Sequence, residues 1–154
     1  MPIYMKYEGV EGEAKGKYKG WIELESCQLG VNRNINSPMG RGAEREAGAP
    51  NIGEIVITKR QDGASTKLFR ESLNGAGKKV TIVFADKDGN EYLKLELENT
   101  MISSYNVSGY GGDANSRPME SLSLNFIKVT ITAKPISKDA KKNEERIQWD
   151  LATQ

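Results

Sequence analysis

The stretch "DKDGNE", residues 86–91, has the carboxylate spacing nearest to a metal loop. A twelve-residue calcium loop needs glycine at position 6 and a carboxylate at position 12. Counted from Asp86, those positions are Glu91 and Leu97, so the stretch reads instead as a hairpin turn. "NGAGKKVT", residues 74–81, resembles the end of a phosphate loop, but Lys79 stands where the motif requires Ser or Thr, and Ser72 where it requires its first glycine. Its glycines also follow a helical pattern and precede a strand, the reverse of the required order. The chain has no histidine, so no Ser-His or Cys-His pair can form. Cys27 is the lone thiol and sits in an apolar strand pattern. Acidic pairs such as Glu44/Glu46 and Glu96/Glu98 fit a solvated face better than an acid–base dyad. These residues predict no enzyme, no metal and no cofactor.

Composition bounds the partners. The 154 residues suit one domain spanning 1–154, and 37% hydrophobic content gives a lean core. Lys plus Arg number 22 and Asp plus Glu 21, and a net charge of +1 gives no reason to expect nucleic acid. One cysteine permits no intrachain disulfide. The longest apolar run, "IVFA", is far short of the roughly 20 residues a membrane helix needs, and the charged opening residues predict no cleaved signal peptide.

The elements that would position any site are mostly strands. Ile3, Met5 and Tyr7 alternate with polar residues, as do Ile22 and Leu24 in "WIELESCQL". Residues 30–53 have no periodicity, are rich in small residues, and exceed an ordinary connection of about 4–6 residues. "EIVITK" (54–59) returns to strand. "STKLFRESLNGAG" (65–77) predicts the one helix, with Leu68, Phe69 and Leu73 on one face, Ser65 or Thr66 as cap, and Gly75 and Gly77 as the stop. Val80/Ile82/Phe84 and Leu93/Leu95/Leu97 flank the "DKDGN" turn, "TMISSYNVSGYGG" (100–112) reads as a separate strand, and Ile147, Trp149 and Leu151 alternate at the end. About eight strands and one helix argue for a barrel or sandwich.

"ESLSLNFIKVTIT", residues 120–132, changes phase in its middle. Leu122, Leu124 and Phe126 take even positions; Ile127, Val129 and Ile131 take odd ones. A slip of one residue moves the apolar set to the other face. The expectation is one continuous strand, bent by a β-bulge, with Phe126 and Ile127 both buried on opposite sides.

Three segments, "NSPMGRGAEREAGAPNIGEIVITK" (36–59), "STKLFRESLNG" (65–75) and "RPMESLSLNFIKV" (117–129), in this order and spacing, resemble the hemolysin-coregulated protein family, the tube protein of the type VI secretion system. The resemblance implies a mainly β fold: a small barrel of two antiparallel sheets with one flanking α-helix and an extended loop at about 30–53. It implies homohexameric rings stacked into a tube, sheath and spike proteins as partners, and small effectors held in the pore. It implies assembly in the bacterial cytoplasm, then secretion. Gly40, Arg41, Gly42, Ala43, Glu44, Arg45 and Glu46 are the contact residues implied between subunits or rings, and Glu120, Leu122, Leu124, Asn125 and Phe126 carry the family's strand motif. The alternatives are the tail-tube protein of a contractile phage-like particle and a monomeric ligand-binding barrel. Lys94, Glu96 and Glu98, or Glu23 and Glu25, are candidates to line a pore.

Overall fold

The computed structural model describes residues 1–36, 46–135 and 145–153. Strands β1 (Ile3–Tyr7), β2 (Ile22–Leu24) and β3 (Ser26–Gln28) open the chain. Two-residue strands β4 (Val31–Asn32), β5 (Ile35–Asn36), β6 (Glu46–Ala47) and β7 (Asn51–Ile52) follow. Then come β8 (Ile55–Arg60), α1 (Ser65–Asn74), β9 (Lys78–Ala85), β10 (Glu91–Ser108), β11 (Met119–Asn125), β12 (Lys128–Ala133) and β13 (Glu145–Asp150). All pairings are antiparallel, in the order β2-β1-β9-β10-β11-β8-β3, with β12 and β13 branching from β10. The path is open as a ladder. Its two ends are nevertheless one run of chain, Ile22–Gln28, and at the junction Glu25 N–H donates to Thr58 O at 2.8 Å. The strand count exceeds the eight expected because bends split single apolar runs and because residues 30–53 carry the short ladders β4–β7 and β5–β6.

The long bent strand is not the one the phase change predicts. β10 runs 18 residues and serves both sheets: Leu93–Glu98 pairs with β9 and β12, and Met101–Ser108 pairs with β11. Between the halves, Asn99 takes φ +52° and the register slips, so burial passes from Leu95 and Leu97 to Thr100 and Ile102. Its neighbour breaks where β10 bends. Residues 120–132 are two strands, and the phase change at Phe126–Ile127 is the gap between β11 and β12. Phe126 is buried in the core, whereas Ile127 is 38% exposed. A free strand end at the corner costs less than carrying two ladders through the same bend. The Ile127 N–H is still paired, to Glu98 O at 3.1 Å.

One apolar cluster fills the interior, built from Ile3, Met5 and Tyr7, Ile22 and Leu24, Ile55 and Ile57, Val80 and Ile82, Leu95 and Leu97, and Leu122 and Leu124. α1 adds Leu68 and Ala64 to it. The predicted helix face is narrower than expected: Phe69 and Leu73 are exposed, although the Phe69 ring lies 5.5 Å from that of Tyr105. Nor does Ser65 or Thr66 cap the helix; Asp62 Oδ1 accepts the Ala64 N–H at 2.9 Å. A second, smaller cluster lies outside the sheet, where Tyr18 covers Val83 and Ala85 beside Tyr4 and Trp21. The "DKDGN" turn docks on it, since Lys17 Nζ and Tyr18 Oη both donate to Gly89 O, at 3.0 and 2.9 Å.

Candidate functional site

Glu120, the first residue of the motif strand, points inward with Leu122 and Leu124 and is almost fully buried. A buried carboxylate requires a partner. It has Lys59 Nζ, from the adjacent β8, at 2.6 Å and Ser65 Oγ of α1 at 2.8 Å, and its other oxygen accepts from Tyr105 Oη. Lys59 is equally buried and also donates to Asp62 Oδ1 at 2.9 Å and Arg60 O at 2.9 Å. Tyr105 keeps its proton, because burial first and then the Glu120 bond and charge disfavour the phenolate. The cluster ties β8, β10, β11 and the start of α1 at one register. A slip by one residue would leave ions unpaired in the core. Lys59 carries no sequence signal beyond its place in "EIVITK", where the alternation Ile55, Ile57, Lys59 puts it on the apolar face.

The middle of the other face of the same sheet is uncharged, and the exposed Arg60–Glu25 ion pair at 3.0 Å borders it. Cross-strand register places Gln28, Val56, Ser123 and Ser104 in one row and Ser26, Thr58, Ser121 and Asn106 in the next. Neither row has a charged residue. Asn125, the motif residue facing this way, opposes Met101. The outward rows of the sheet around β9 and β12 differ. One runs Glu23, Tyr4, Val83, Lys94, Thr132, Arg146; another runs Lys6, Thr81, Glu96, Thr130, Gln148; a third is Glu98, Lys128, Asp150. Lys94 and Glu96 lie 3.7 Å apart, and Lys128 and Glu98 lie 3.9 Å apart.

At the β13 edge the apolar interior opens. Ile147 and Trp149 pair with Ile131 and Val129 on the inward face, yet they are 66% and 38% exposed. With Leu29, Val31, Pro50 and Ile52 they line an apolar cleft of ≈ 270 Å³ beside the base of the β4–β7 ladder. β13 pairs only with β12. Among the described residues its outer edge faces no further strand, and such an edge flanked by exposed apolar side chains is a surface suited to another chain. Of the implied contact residues, Gly40, Arg41, Gly42, Ala43, Glu44 and Arg45 lie outside the described residues, and Glu46 is placed by its backbone alone, paired with Asn36.

The fold is a mainly β domain of two antiparallel sheets with one flanking helix and an exposed apolar strand edge. The sequence model of "Type VI secretion system effector, Hcp" matches residues 4–132, and the chain belongs to this family, the tube proteins of the type VI secretion system. Among solved structures, one described as a type six secretion system protein is 25% identical, covers 99% of this chain and 96% of its own, and superposes with a TM-score of 0.85. Hcp1 from Salmonella typhimurium is 19% identical over 99% of this chain and 95% of its own, with a TM-score of 0.78. A type VI secretion system effector from Yersinia pestis is 20% identical over 96% and 98%, with a TM-score of 0.67. No protein of curated function matches by sequence.

Proposed function

We propose that the chain is a non-catalytic tube subunit of one domain over 1–154. Six copies close into a ring, rings stack into a tube, and the outward face of the β3–β8–β11–β10 sheet, with its two uncharged rows, lines the pore. The observation that carries the pore assignment is the pair of rows Gln28–Val56–Ser123–Ser104 and Ser26–Thr58–Ser121–Asn106. These two rows, mostly hydroxyls and amides, present no long cationic or anionic side chain to trap a passing protein of either sign. This displaces Lys94, Glu96, Glu98 and Glu23 as pore candidates; they serve better on the outside, against sheath or solvent, whereas Glu25 stays at the border of the pore face through its pair with Arg60. Small effectors occupy the pore, and sheath and spike proteins surround and cap the tube. The β13 edge with its cleft, and residues 40–46, provide contacts between copies. The tube forms in the cytoplasm and its subunits leave the cell with the fired spike.

The test is assembly itself. Negative-stain images of the purified protein should show rings with a central hole, and a monodisperse monomer at all concentrations would overturn the reading. Replacing residues 37–45 by a short Gly-Ser turn should leave the barrel folded by circular dichroism, since halving a loop changes closure entropy by only about 0.6 kcal/mol. It should shorten tubes and lower the amount of protein in the medium. Normal tubes and normal export would remove this segment from the contact set.

A further inference from the structure

Three buried polar atoms at the end of the barrel beneath the C-terminal half of α1 make no hydrogen bond among the described residues: Tyr7 Oη, Glu71 Oε2 and Thr100 Oγ1. They come from β1, α1 and β10, and Tyr7 is near enough to Glu71 for the carboxylate's charge to act on it. Tyr7 pairs with Val80, which pairs with Leu97, and Thr100 pairs with Lys78 two residues away. α1 runs into β9 through Gly75 and Gly77. A Cβ on Gly75 would collide with Glu71 Oε2, and one on Gly77 with the side chain of Asn99, the neighbour of Thr100. The connection is thus pressed onto both the carboxylate and the β10 bend. Burial, and then the Glu71 charge, push the Tyr7 hydroxyl up to about 12, so it remains a donor at every physiological pH.

The chemistry of the trio narrows the occupant. Tyr7 offers a donor, the Glu71 carboxylate only accepts, and Thr100 can do either. A molecule with two donors and an accepting lone pair satisfies all three. Three oxygen ligands are too few for calcium, which takes six to eight. We propose that one internal water molecule sits between α1 and the barrel end, accepting from Tyr7 and donating to Glu71 Oε2 and Thr100 Oγ1. Such waters typically make about three bonds to buried groups that otherwise lack partners. The water fastens the part of α1 that apolar packing holds least, since Phe69 and Leu73 face outward there.

A crystal structure of the full chain, refined where single waters are resolved, tests this directly. An ordered water within hydrogen-bonding distance of all three atoms is expected. Direct bonding among the three side chains, a dry gap, or a peak at metal-ligand distance that follows the potassium or sodium content of the buffer would each overturn the proposal. Tyr7→Phe and Thr100→Val supply a second readout. Each should lower the folding equilibrium constant about tenfold. The double variant should lose much less than the hundredfold product, because both act on one shared water. Independent, multiplicative losses would show that no molecule is shared.

Discussion

The two sheets that wrap one core solve opposite problems. The sheet of β3, β8, β11 and the end of β10 hides one ion pair inside, Lys59 with Glu120, and shows solvent two uncharged rows beside the exposed Arg60–Glu25 pair. The sheet of β1, β9, β12 and the start of β10 keeps its inward positions apolar. It carries its charges outside in rows of mixed sign, with Tyr4, Tyr18 and Trp21 as a second layer. Exposed pairs such as Lys94–Glu96 hold little stability, about 0–1 kcal/mol. The buried pair fixes register at the expense of desolvating two ions. Charge on the first sheet therefore specifies structure, whereas charge on the second mainly shapes the surface other molecules meet.

The comparison breaks most readily at Lys59. Lys59→Met leaves Glu120 ionised and unpaired in the core and should cost about 3–5 kcal/mol by urea unfolding. Adding Glu120→Gln should recover part of that loss. If Lys59→Met is neutral, the buried cluster holds nothing. On the opposite sheet, Tyr18→Leu keeps the apolar cover of Val83 but loses the 4.5 Å ring stack with Tyr4 and the bond to Gly89 O. About 1–2 kcal/mol should go, read by the same transition. A loss equal to that of Lys59→Met would erase the distinction between ionic core and aromatic overlay.

Ser121→Lys with Ser123→Lys should move folding stability by no more than about 0.5 kcal/mol each. If the uncharged face lines the pore, the pair should alter effector retention measured by co-purification, while Lys94→Ser with Glu96→Ser should not. The reverse pattern would exchange the two faces. The smallest effect is local and pH-dependent. N–H groups of Asn90 and Asp88, with the Asn90 side chain, hold the Asp86 carboxyl below the ordinary aspartate value of 3.8. A depressed folded value means the turn's extra stability is present above 3.8 and fades as pH falls below it, through the folded value. Amide protection at Asp88 and Asn90 should drop in that window, with no change between pH 5 and 8.

Alternation in Ile3/Met5/Tyr7, Val80/Ile82/Phe84 and Leu93/Leu95/Leu97 marks strands and their inward faces because a pleat has period two, and that rule is local. Glu120 and Asn125 are marked by the family resemblance, not by this rule, and the rule gives Lys59 no meaning, since its partner lies 61 residues away. Helix periodicity overestimated the buried apolar face of α1: of Leu68, Phe69 and Leu73, only Leu68 is buried. The phase change at Phe126–Ile127 correctly marked a corner, yet the sequence could not say which strand would cross it whole. That depended on β10, where Asn99 accepts a positive φ and lets one strand bend between two ladders. By itself, then, the amino-acid order determined the strands, the turn at Asp86–Asn90, the family and the absence of a histidine-based catalytic pair. Only the tertiary structure decided which strand joins the sheets, which outward rows are free of charge and where the buried ions meet, because each depends on register between segments far apart in the chain.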